Sequence, residues 1–143
     1  MFYKIKAAIL KRYIVSFCDN VRAEYSQLNG SRRPEVTLHK QEGRTAQPIP
    51  SADLADKAPD GQTIVSGYYE NGKIEIFGVA RDSLAYLKQT ARHETIHFLL
   101  DAAGLDYRDT DDLFILLAIK YDARPAADLS DDFYIKISKG RNF

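Results

Sequence analysis

Leu84-Ala-Tyr-Leu-Lys-Gln-Thr-Ala-Arg-His93-Glu94-Thr-Ile-His97-Phe-Leu-Leu-Asp-Ala-Ala103 is the stretch on which the fold of this chain turns. Asp82 or Ser83 supplies a helix N-cap before it, and Gly104 stands just past its end. On a helical wheel Leu84, Leu87, Ala91, Phe98 and Ala102 make one apolar stripe, while Tyr86, Thr90, His93 and His97 fall roughly opposite. Ile96, Leu99, Leu100 and Ala103 add apolar surface elsewhere, so the spacing predicts a helix whose C-terminal half is buried on most sides. A buried helix keeps imidazole and carboxylate side chains only if they find partners.

A divalent metal would be such a partner. Helical residues four apart share a face, so His93 and His97 can present two imidazole nitrogens to one Zn²⁺ at about 2.0–2.1 Å. Glu94 then lies beside the metal's open position, where it can serve as general base. The plainer alternative is a pair of ordinary helical histidines with Glu94 turned to solvent. A catalytic zinc needs a third protein ligand, and six residues beyond His97 stands Ala103, not a histidine. His39 is far upstream in the expected strand Val36-Thr-Leu-His-Lys and reads best as a solvent-facing residue. The downstream carboxylates are the better candidates. Asp111 and Asp112 open a second apolar helix running to Asp122, and a short loop would return them to the histidines. Asp112 shares a face with Leu116 and Ile119 and is favoured over Asp111. Both aspartates would equally suit a helix N-terminus, capping free N–H groups and meeting the positive dipole end. Asp101, one turn after His97, could orient a ligand from behind or be a solvated helix-end charge. Asp122 is a remote candidate.

His93 through Leu117 resembles the core of a zincin metallopeptidase, and within that group it is similar to minimal gluzincin-like and ImmA/IrrE-type domains, including small phage-encoded ones. The resemblance rests on the His-Glu-x-x-His helix, a short turn, and an acidic pair opening an apolar helix. It covers about a sixth of the chain by motif and most of it by element order. It implies zinc held by His93, His97 and Asp112 (or Asp111), with Glu94 as general base. It also implies peptide-bond hydrolysis, with a peptide or protein substrate lying along the strand before the motif helix: Ile74, Glu75, Ile76 and Phe77. The chain departs from many such proteins in carrying aspartate where they carry glutamate, so the two helices would have to approach more closely. No histidine or tyrosine motif marks a transition-state stabiliser. Tyr107 and Tyr121 flank the second helix and read as packing residues with wet hydroxyls. Arg92 and Arg108 read first as surface charges. The alternative function is a zincin-fold regulatory module that keeps its zinc but recognises a single protein partner.

At 143 residues the chain is long enough for one domain, 1–143, with a sizeable core. Twenty basic and twenty acidic residues cancel, so net charge gives no support to nucleic-acid or anionic-membrane partners. No helix-turn-helix pattern is present, and Ser31-Arg32-Arg33 reads as a solvated turn. Cys18 is the only cysteine, which excludes an intramolecular disulfide and fits a reducing cytoplasm. Phe2, Ile5, Ile9, Tyr13, Phe17, Val21 and Tyr25 recur at helical spacing, predicting an amphipathic helix over 2–28 packed on the domain. Lys4, Lys6, Lys11 and Arg12 interrupt any signal-peptide or membrane-spanning reading.

Between these helices the pattern changes to strands. Residues 35–40 read as one strand and 41–61, rich in Pro, Ala, Asp and Gly, as a long loop. Asn71-Gly72 between two alternating runs is a strong hairpin signal, with Ile74 and Ile76 on one face. Whether the second hairpin strand is an exposed edge or an interior strand is left open by the residues themselves. Arg124-Pro125 stops the second helix, and Asp132–Ser138 reads as a terminal strand. The sum is a small α+β domain: a mostly antiparallel sheet packed on an N-terminal helix, the motif helix and a following helix.

Overall fold

The computed structural model describes residues 2–45, 54–57 and 63–123. They form an α+β arrangement of three helices and a five-stranded sheet in which three of the four strand pairings are antiparallel. The expected terminal strand Asp132–Ser138 and the Arg124-Pro125 stop lie outside the described residues.

The N-terminal helix α1 spans Phe2–Glu24, and a single 3-10 turn, Ser26–Leu28, follows it. The helix is amphipathic as expected, but only the C-terminal part of the expected stripe is buried. Its buried face is Leu10, Ile14, Phe17, Cys18 and Val21, whereas Phe2, Ile5 and Ile9 are 77%, 53% and 38% exposed. The reason is arithmetic. A strict four-residue repeat advances 400° per step against 360° per turn, so Ile5, Ile9, Tyr13, Phe17 and Val21 wind through 160°: Phe17 and Val21 stay in the core, while Ile5 and Ile9 swing out of it. The real face mixes steps of three and four. Cys18 is fully buried as a small core residue, and burial pushes its thiol up.

Strands β1 (Glu35–Leu38), β2 (Gly43–Thr45), β3 (Leu54–Lys57), β4 (Thr63–Glu70) and β5 (Lys73–Ile76) make the sheet, in the order β1-β5-β4-β2 with β3 also on β4. The stretch 41–61 therefore contributes two short strands and is not a single loop. The β4–β5 hairpin turns at Asn71 (φ 48°) and Gly72 (φ 81°), both left-handed, which is the type I′ geometry that matches strand twist. Tyr69 opposes Ile74, and Gly67 opposes Ile76. The expected substrate edge formed by Ile74, Glu75, Ile76 and Phe77 does not exist. Strand β5 is interior, paired antiparallel to β4 and parallel to β1 through Val36↔Ile74 and Leu38↔Ile76, and Phe77 continues the ladder by donating its N–H to the Ser66 carbonyl at 2.9 Å. Its backbone groups are already engaged, which leaves no room for strand addition there.

Helix α2 (Leu84–Ala102) is the centre of the domain, with α1, α3 (Asp112–Lys120), β4 and β5 all packed on it. Ser83 caps it, its Oγ accepting the Tyr86 N–H at 3.2 Å. Gly104, at φ 75°, ends it in the left-handed conformation that glycine adopts without strain. Every residue from His93 to Leu100 is buried, as the encircling apolar pattern predicts. Arg92 fastens the far end of α3: its Nη2 donates to the Asp122 carbonyl at 2.9 Å and its Nη1 to the Tyr13 hydroxyl at 2.7 Å. Among the described residues, no helix is long and apolar enough to cross a membrane.

Candidate metal centre

The two motif histidines are 0% and 1% exposed and face each other across one turn of α2, their Nε2 atoms 3.2 Å apart. A single oxygen, Asp109 Oδ1, lies 3.0 Å from His93 Nε2 and 2.8 Å from His97 Nε2. Three donor atoms therefore converge on one point. Ligand atoms around a tetrahedral zinc with bonds of about 2.0–2.1 Å stand about 3.3 Å from one another, so sides of 2.8, 3.0 and 3.2 Å match that spacing to within about half an ångström. Burial would raise Asp109, but its hydrogen bonds to His93 and His97 win and hold it at about 2. It is a carboxylate, not a carboxylic acid, which a metal ligand requires.

This carboxylate is not the one expected. Asp112 lies exposed in the first turn of α3. Asp111 is the residue before that helix and is turned onto Arg108, accepting its backbone N–H at 2.8 Å and its guanidinium at 3.1 Å. Burial acts to raise Asp111, and those bonds from Arg108 hold it below the usual carboxylate range. Instead of capping α3 with its side chain, Asp111 pins the loop that carries Asp109. That loop, between Gly104 and Asp111, reaches back over α2 far more directly than a helix end can. An aspartate on it needs no extra methylene.

The same loop orients His97. Its Nδ1 donates a hydrogen bond to the Tyr107 carbonyl, so Nδ1 carries a proton and the ring is oriented with Nε2 turned towards Asp109. Tyr107 thus acts through its backbone. Asp101 does not touch either histidine: its Oδ2 accepts the Tyr69 hydroxyl at 2.5 Å, and that hydroxyl in turn accepts the Gly72 N–H at 2.9 Å. Burial, then the Asp101 bond, pushes the Tyr69 phenol well above its usual range. Tyr69 lies nearly parallel to His97 with ring centroids 6.1 Å apart, so this ring stands between Asp101 and the centre. His39 is outside the centre, half-exposed, stacked on Phe77 at 4.2 Å and 2.9 Å from Glu75 Oε1. Arg108 is exposed, and Tyr121 belongs to the far end of α3, where burial and Glu24 raise its phenol.

Phe114 of α3 forms the floor. Its ring stacks on His97 at 4.2 Å and meets His93 edge-on at 4.9 Å, and it is fully buried. Phe114→Ala should destabilise the protein by about 3–5 kcal/mol, the usual cost of emptying a buried phenylalanine site. Urea unfolding at constant slope would measure it, and a loss under 1 kcal/mol would mean that the ring is not packed as described.

Glu94 is 0% exposed, next to the triad, and its carboxylate oxygen lies within 4.8 Å of the ring nitrogens of His93 and His97. Above it runs β4, at Gly67. Neither Asp109 nor Gly67 was legible as a site residue. Asp109 does carry one signal, a position on a short polar turn twelve residues after His97. Comparison with known proteins returns no match among family models, curated proteins or solved structures.

Proposed function

We propose that the protein is a zinc-dependent peptide hydrolase, with His93, His97 and Asp109 as metal ligands and Glu94 as general base. The observation that carries this reading is the convergence of two Nε2 atoms and one carboxylate oxygen within 2.8–3.2 Å, beside a fourth buried group of the right chemistry. Two imidazoles and a carboxylate are a frequent donor set for catalytic zinc, whereas structural zinc usually takes four protein ligands rich in cysteine. Zinc bound there would supply Lewis acidity, polarising a carbonyl and lowering the pKa of water to about 7.

The protein's own groups do the rest. His93 and His97 offer neutral imidazoles, the second held in its tautomer by the Tyr107 carbonyl. Asp109 contributes one negative charge, so the cation keeps net positive charge for work on substrate. Glu94, buried beside the triad, takes a proton from the attacking water and delivers it to the leaving nitrogen. The low polarity around it strengthens those interactions. The test is direct: the full chain loaded with one zinc should cleave an unstructured peptide mixture, 1,10-phenanthroline should abolish cleavage, and added zinc should restore it. Cleavage that persists after metal removal would refute the proposal.

A further inference from the structure

Strand β4 is the roof of the centre, and one of its roof positions has no side chain. Val65, Gly67 and Tyr69 are alternate residues of β4, so they share a face, and all three are buried. Tyr69 lies against the His97 ring. Gly67 lies against Glu94: a Cβ at position 67 would stand 2.5 Å from Glu94 Oε2, 3.1 Å from its Cδ and 2.8 Å from Thr90 Cγ2. Carbon atoms in good contact stand about 3.5–4.0 Å apart, so no side chain fits there while Glu94 and Thr90 keep their places. The backbone does not call for glycine, because positive φ among the described glycines is confined to Gly72, Gly78 and Gly104. What position 67 requires is space.

Thr90 completes the slot. It sits one turn before Glu94 on α2, is 1% exposed, and donates its hydroxyl to the Tyr86 carbonyl at 3.3 Å. That bond fixes its rotamer and presents its methyl to Gly67. The Glu94 side chain is therefore bounded by the strand backbone above and the threonine methyl alongside. We propose that Gly67 is a positioning residue: its missing side chain, together with the Thr90 methyl, fixes where the Glu94 carboxylate lies beside the triad of His93, His97 and Asp109. The proposal rests on the reading of Glu94 as general base. A methyl group at position 67 would turn the carboxylate away or lift β4, and either outcome displaces the base while leaving the three metal ligands untouched.

Two measurements on the zinc-loaded full chain test this. In a double-mutant cycle of thermal unfolding, Gly67→Ala should lower the Tm by about 5 °C or more and should cost less than half of that in a Glu94→Ala background, where the closest colliding atom is gone and only the Thr90 methyl still crowds position 67. In peptide cleavage, Gly67→Ala should keep one zinc per chain and a KM within twofold while kcat falls about 10–100-fold, the scale expected of a misplacement near 1 Å. Gly67→Ala combined with Thr90→Ser, which removes the crowding methyl, should recover at least about fivefold of that loss. The combined variant also provides a soluble comparison if Gly67→Ala alone does not fold. Additive unfolding shifts would overturn the Gly67 contact and leave the hydrolase reading standing. Native kcat in zinc-loaded Gly67→Ala would overturn the positioning role. Lack of cleavage by the zinc-loaded native chain, with the unfolding cycle still coupled, would bring down the hydrolase reading and the positioning role with it.

Discussion

Asp109→Ala should lower zinc affinity at least about 100-fold, matching His93→Ala and His97→Ala, while Asp112→Ala should leave affinity within about twofold of native. Removal of a group that merely orients a ligand typically costs 10–100-fold, so loss of a ligand itself should meet or exceed that range, about 2.8 kcal/mol or more. The contrast between the aspartates is what makes the measurement decisive. Asp109 Oδ1 is within 3.0 Å of both Nε2 atoms, whereas Asp112 is exposed in the first turn of α3. Asp111→Ala should fall between them, since Asp111 receives the Arg108 N–H and guanidinium and so shapes the loop beneath Asp109. Competition against a chromophoric chelator at pH 7 reads all five variants on one scale. A large loss in Asp112→Ala with none in Asp109→Ala would reverse the assignment.

The aspartate that meets the two histidines illustrates what a sequence can and cannot carry. The motif helix was legible because its signals are local: the Ser83 cap, an apolar pattern that encircles residues 93–100, and histidines four apart. So was the hairpin, where Asn71-Gly72 demanded two left-handed residues and has them. Asp109 lies in an irregular turn with no periodicity to set its direction. The pattern favoured Asp112 because a helical face can be computed and a loop's path cannot. The supposed substrate edge failed for a different reason. Alternation of Ile74 and Ile76 reports which face of a strand is buried, but strand pairing runs in the plane of the sheet, at right angles to the side chains. The parallel partner β1 is more than thirty residues away, and nothing in the β5 pattern announces it. Gly67 is the extreme case, since its importance lies in atoms it does not have, opposite a side chain twenty-seven positions later.

Glu94→Gln should retain one zinc per chain with nearly native affinity and lose about 10²–10⁴-fold in kcat, the usual contribution of a general acid–base group. The substitution keeps size and shape, which matters at a site where Gly67 and Thr90 leave no spare room. It removes only the ability to accept a proton. With His93, His97 and Asp109 as the proposed ligands, the metal would not depend on Glu94, and metal content should separate from turnover. That separation distinguishes a base from a fourth ligand: a ligating Glu94 would lose zinc and activity together in Glu94→Gln. Glu94→Ala makes a poorer test, since emptying a fully buried position adds a packing loss to the chemical one. Glu94→Asp withdraws the carboxylate by one methylene and should sit between native and glutamine in kcat, with KM little changed, because the misplacement affects proton transfer more than ground-state binding. Equal kcat in native and Glu94→Gln protein, at equal zinc content, would assign the proton transfer to another group and leave Glu94 as packing beneath β4.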